Sequence, residues 1–120
     1  MRVDNHMATY DNLPVYKACY SLLLMLFNGA RHMQRDYRYT LGETMKNELI
    51  ALITNIYRAN CRTKKKDLLI TARENIEVVR LMLRLAVDLK QFPLKLSAAA
   101  NEKIESISKQ LTAWEKSCRK

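Results

Sequence analysis

Glycine and proline are scarce in this 120-residue chain, two of each, and that scarcity disfavours folds built on many tight turns. Long helices joined by short links suit such a composition, and β-rich folds do not. Cysteine is also sparse: Cys19, Cys61 and Cys118 are widely separated, odd in number and without a C-x-x-C unit. They argue against a disulfide framework and against a zinc site. His6 and His32 are the only histidines. No paired Glu-x-x-His, His-Glu-x-x-His or glycine-rich nucleotide loop occurs, so no catalytic residue, no metal site and no cofactor is expected. Long apolar runs are missing as well. Leu22 to Phe27, six residues, falls far short of the ~20 needed to cross a bilayer. Asp4, Asp11 and Lys17 precede that run, which does not suit a signal peptide. The expectation is a cytoplasmic protein with no membrane segment.

What is present is positive charge. The formal net charge is +9, and residues 61–120 hold fourteen basic against seven acidic groups, compared with seven against five in residues 1–60. Such an excess favours polyanions, because Lys and Arg that replace condensed counterions gain affinity from their release. The bland alternative is a basic protein with no nucleic-acid partner.

The stretch from Lys64 to Lys90 reads as one long third helix. Leu69, Ala72, Ile76, Val79, Leu83 and Ala86 step by three and four, the spacing of a bundle seam. At 100° per residue, Val78, Leu81, Met82, Leu85 and Leu89 fall on a second apolar sector. A helix apolar on most of its circumference must be buried on most of it. The second sector is therefore the expected oligomer interface. Between the sectors lies a polar strip of Arg73, Glu77, Arg80 and Arg84. Alone it is a solvated face with an internal pair; repeated around a ring of subunits, its arginines make a basic surface suited to sequence-tolerant phosphate contacts. Lys64, Lys65 and Lys66, placed in the first turn of this helix, join the candidate nucleic-acid contacts. So do Arg31, Arg35 and Arg38 in the first connection.

Residues 1–11 are polar and aperiodic, a loose arm before a bundle over 12–120. Asn12 is placed to cap the first helix, with Pro14 in its first turn. Tyr16, Tyr20, Leu23, Phe27 and Ala30 read as its core seam, although its other apolar residues spread to further sides. Gly29 to Tyr39 reads as the first connection, and Thr40-Leu41-Gly42-Glu43 as a capping box opening the second helix. Met45, Leu49, Leu52 and Ile56 give that helix its core face, broadened by Ile53 and Tyr57. Thr63 caps the third helix and Ser97 the fourth, in which Ile104, Ile107, Leu111, Trp114 and Cys118 form a single stripe. The fold class is all-α, an antiparallel up-and-down four-helix bundle. Its surplus apolar surface predicts assembly into a ring or barrel-like homo-oligomer. Asp36, between Arg35 and Arg38, reads as a surface ion pair rather than a catalytic carboxylate. Tyr37, Tyr39 and Tyr57 read as packing groups more readily than as base-stacking platforms.

At Arg35-Asp-Tyr-Arg-Tyr-Thr-Leu-Gly-Glu43, Lys46-Asn-Glu-Leu49 and Asn55-Ile-Tyr-Arg-Ala-Asn60, the chain resembles the accessory variability determinants of diversity-generating retroelements. Leu13-Pro-Val-Tyr-Lys17, the Arg80-to-Leu89 segment and Trp114 extend the likeness over about residues 10–118. The resemblance implies a four-helix protomer, a homopentameric basic barrel, binding to RNA or DNA and to the element's reverse transcriptase, and a part in mutagenic cDNA synthesis. Related bundle proteins encoded in intervening sequences of 23S ribosomal RNA genes usually end the second helix near Asn-Ile-Ala-Glu-Gly. Here Asn55-Ile56-Tyr57-Arg58-Ala59 favours the retroelement branch. Two alternatives stay open: a protein-interaction scaffold for an acidic partner, and a small enzyme using Asp36 or Glu43.

Overall fold

Pro14 opens the first helix, where its missing N–H costs nothing and its fixed φ is already helical. In a computed structural model that describes residues 9–118, helix α1 spans Pro14–Ala30 with Leu13 at the N-cap. Asn12 does not cap it; it closes a 3-10 turn, Tyr10–Asn12. Residues 1–8 of the expected arm, and residues 119–120 at the end of the bundle, lie outside the described residues. Tyr10 sets its ring edge-on to Tyr16 at 5.3 Å and to Tyr57 at 5.0 Å.

Helix α2 begins earlier than the sequence suggests. It runs from 35 to 60, as an α-turn Arg35–Tyr37, a π-helical segment Arg38–Gly42 and the α-helix Glu43–Asn60. The expected capping box does not form. The Thr40 hydroxyl donates to the Asp36 carbonyl at 2.8 Å, and Glu43 pairs with Lys46 at 3.1 Å. The wide π segment carries the chain through Thr40 without a break. The connection from α1 therefore shrinks to residues 31–34.

Helix α3 spans Lys66–Asp88, with Lys65 at an N-cap that has no side-chain hydrogen bond. Thr63 does not cap it, and Lys64 and Lys65 precede the helix instead of lying in its first turn. At the far end Lys90 takes the left-handed conformation, φ 59°. The Gln91 N–H bonds to the Ala86 carbonyl and the Lys90 N–H to Val87, a Schellman closure with lysine where glycine is usual. Helix α4, Leu94–Ser117, follows Pro93. Ser97, expected as its cap, lies buried inside the first turn and donates to the Leu94 carbonyl at 2.7 Å.

Successive helices pack antiparallel, and α4 returns to α1, giving a four-helix bundle with no strand among the described residues. The six α3 seam residues are all buried, as are Met45, Leu49, Leu52 and Ile56 of α2 and Ile104, Ile107 and Leu111 of α4; Trp114 and Cys118 are half-buried. Helix α1 departs from its expected seam. Tyr20 and Phe27 are exposed and Tyr16 and Leu23 half-buried, while Val15, Ala18, Cys19, Leu22, Leu26, Gly29 and Ala30 face the core. Both stripes satisfy helical spacing, and the one with smaller side chains turns inward, which lets the helices approach closely. At the end formed by the α1–α2 and α3–α4 turns, Phe92 is buried against Gly29. Beside it the Gln34 N–H donates to the Gln91 Oε1 at 2.8 Å.

Candidate nucleic-acid interface

The structure divides the predicted cations into three places. Arg31, Arg35 and Arg38 stand at the α1–α2 turn. The guanidinium carbons of Arg35 and Arg38 lie 6.0 and 5.7 Å from the centroid of Tyr39, whose ring is 63% exposed. Cation and aromatic face attract each other at such separations. The expected ion pair of Asp36 does not form among the described residues; its carbonyl instead receives the Thr40 hydroxyl. Of the three tyrosines weighed as stacking groups, Tyr37 packs against the core, Tyr57 meets Tyr10, and Tyr39 faces solvent.

Lys64, Lys65 and Lys66 stand at the opposite end of the bundle, at the α2–α3 turn. With Arg62, a cation not singled out from the sequence, they line an open cleft of about 1180 Å³ against Trp114, Ser117 and Cys118 at the end of α4. The Lys65 Nζ lies 5.6 Å from the Trp114 ring centroid. No ion pair among the described residues involves any of the four cations. Among the described residues Asp67 is the one carboxylate lining the cleft.

The third group is the α3 row, and it is largely neutralised. Arg73 pairs with Glu115 at 2.5 Å, and Arg80 with Glu77 at 3.0 Å and with Glu105. The hydrogen bonds to Glu77 and then Glu105 push the Arg80 guanidinium above its already high ordinary value. Glu105 and Glu115 come from α4, far along the chain, so helical spacing within α3 gave no sign of them. Arg84 is exposed and has no ion pair among the described residues.

Two apolar surfaces lie along the sides of the bundle. On α3, Leu81, Leu85 and Leu89 are exposed, and Val78 and Met82 half-buried. A second surface joins Tyr20, Leu24 and Phe27 of α1 to Ile50 and Tyr57 of α2, all exposed, with the Lys46 ammonium 4.5 Å from the Phe27 ring centroid. Large contiguous apolar surface marks interaction sites. The wide spread of apolar residues on α1 signalled a second face, but spacing alone did not say which stripe it was.

Other quoted motif residues serve the fold. The Asn55 side chain donates to the Asn75 Oδ1 at 3.0 Å, and Asn75 donates to the Glu48 Oε1 at 3.0 Å. This polar chain ties α2 to α3. Among the described residues no group of His, Cys, Asp and Glu could hold a metal ion, and no helix is long and apolar enough to cross a membrane.

Comparison with curated proteins gives no match. A family model described as bAvd-like matches residues 15–118, from the first core residue of α1 to the half-buried Cys118 beyond α4. That span takes in all four helices, both apolar surfaces and the basic cleft, and the chain therefore belongs to the bAvd-like family, the accessory variability determinants.

Proposed function

We propose that this protein is a non-catalytic, cytoplasmic accessory subunit of a retroelement reverse transcriptase that binds RNA or DNA as a ring-shaped homo-oligomer. The reverse transcriptase, the support of mutagenic cDNA synthesis and the count of five subunits come from the family. The observation that carries the rest is a separation of surfaces. Apolar stripes run along the sides of the bundle, and of the predicted cations without ion-pair partners among the described residues all but Arg84 stand at its two ends. Copies packed side by side cover the stripes and leave the ends as two basic rims. Repetition around an axis concentrates that charge for backbone contacts that are indifferent to sequence.

The two stripes differ in composition, aliphatic on α3 and largely aromatic on α1 and α2. The contact is therefore heterologous: the α3 stripe of one copy meets the α1–α2 face of the next, and a closing rotation gives a ring. Leu81→Glu with Leu85→Glu disables one face, and Tyr20→Glu with Leu24→Glu the other. Sedimentation should show a ring for the parent chain, protomers for each variant alone, and heterodimers when the two variants are mixed. A stable lone parent protomer at micromolar concentration overturns the assembly.

For binding, Arg84→Glu and Lys64→Glu with Lys66→Glu should lower affinity for RNA, DNA and their hybrid and flatten the salt dependence. Arg84 is the informative member of its row, since reversing Arg73 or Arg80 also breaks contacts to α4. Filter titration that retains none of the three nucleic acids refutes the reading and leaves a protein-interaction scaffold.

A further inference from the structure

We infer that the cleft between the α2–α3 turn and the end of α4 holds an unpaired nucleotide, its base stacked on Trp114 and its phosphates among Arg62, Lys64 and Lys65. The inference rests on the nucleic-acid reading above and adds to it a preference for single strands. Trp114 lies at the edge of the core, half-buried. Its surroundings are divided: Leu13, Pro14 and Val15 border a shallow apolar recess on one side, and the basic cleft opens on the other. Among the described residues, the cation facing the ring on the cleft side is the Lys65 ammonium. An ammonium over a half-buried indole is a weaker partner than a stacked base. When a base takes the ring, the tethered lysine is already beside the place its phosphate must occupy. The α3 N-terminus, which has no side-chain cap, adds free backbone N–H groups of the same preference.

A duplex does not fit this arrangement. Its base faces are covered by their neighbours and only their edges reach the grooves, so a ring standing in a cleft stacks on a base that has left the helix. The cleft volume of about 1180 Å³ exceeds the range usual for small-ligand pockets, roughly 300–1,000 Å³, leaving room for the strand to continue past the stacked base.

Trp114 is the only tryptophan in the chain, so intrinsic fluorescence of the full-length protein reports this site directly. A short oligothymidylate should quench its emission saturably, while a blunt DNA duplex of matched phosphate count and inorganic polyphosphate should bind without quenching. Trp114→Leu should weaken oligothymidylate binding about tenfold, the effect of losing one base–aromatic stack, and leave duplex affinity unchanged. Trp114→Phe, which keeps a ring, should retain the preference for the single strand. Unchanged emission at saturating oligothymidylate, or equal weakening of both strand forms in Trp114→Leu, overturns the inference while nucleic-acid binding stands. Filter retention of neither form removes both. Should Trp114→Leu fail to fold, the parent quench and the Phe variant decide.

Discussion

Gly29 should be a position where alanine, the better helix former, destabilises the protein. In an unobstructed helix interior, Gly→Ala gains about 1 kcal/mol. Here an added Cβ would overlap the Cε1 and Cζ of the Phe92 ring, so the ring must shift out of its place. Phe92 is 5% exposed, and driving such a side chain out of its site forfeits roughly 1.5–3 kcal/mol of burial. Setting the helix gain against that loss leaves Gly29→Ala about 0.5–2 kcal/mol less stable, a drop in Tm of about 2–8 °C for a domain of this size. Urea denaturation at one fixed protein concentration measures it, since assembly makes stability concentration-dependent. The midpoint should fall with the slope unchanged. Shortening the partner should reverse the sign: in a Phe92→Ala background, Gly29→Ala should be neutral or stabilising, a coupling that a double-mutant cycle isolates. A single Gly29→Ala variant more stable than the parent refutes the close approach. It would also undercut the account of how the α3–α4 turn is held onto the α1–α2 turn that carries Arg31, Arg35 and Arg38.

Other changes probe the ends and the seam. Lys90 holds a left-handed φ of 59°, so Lys90→Gly should raise stability by about 0.5–1 kcal/mol, read as a higher urea midpoint; a lower midpoint contradicts the Schellman assignment. Asn75→Ala removes the acceptor for the buried Asn55 amide and should cost about 1–3 kcal/mol, with an unaltered midpoint as the contrary result. Burial pushes the Cys19 thiol well above its ordinary range. In the folded protein, alkylation followed by mass spectrometry should mark exposed Cys61 first and Cys19 only on unfolding. Because folded Cys19 keeps its proton where the unfolded thiol gives it up, its contribution to stability is complete below about pH 8.5 and declines above it, by at most ~1.4 kcal/mol per pH unit. Cys19→Ala should remove that part of the slope, and an identical slope in the variant counts against it.

The parts of the fold legible in the sequence were those decided by one periodicity. On α3 a single spacing rule selected all six buried residues, because the arginines and glutamate beside that seam leave little ambiguity. On α1 the same rule is right only in part: Ala30 is buried and Tyr16 and Leu23 are half-buried against the core, but Tyr20 and Phe27 face out. Leu22 and Leu26 are flanked by Leu23, Leu24, Met25 and Phe27, so hydropathy does not separate the faces; close helix approach selects the face bearing Ala18, Cys19, Gly29 and Ala30. Helix starts were misjudged for a related reason. Thr40, Thr63 and Ser97 have good capping chemistry, but Thr40 and Ser97 bond backward inside a helix and Thr63 lies outside one. Capping propensity describes what a hydroxyl does at a free terminus and does not say where the terminus falls.

The candidate site shows the same limit at longer range. Arg73 and Arg80 look on α3 like two cations with one carboxylate, Glu77, to share. Tertiary structure brings Glu105 and Glu115 to them from α4, and the row becomes part of what joins two helices. At the other end the opposite happens: among the described residues Arg62, Lys64, Lys65 and Lys66 form no ion pair, although Asp67 lines the same cleft. They gain Trp114, about fifty residues away in the sequence. From the sequence, the arginine row of α3 leads and the lysines only join it. What separates them is whether the next helix brings a carboxylate or an indole, and that choice moves the expected nucleic-acid contact from the side of the bundle to its end.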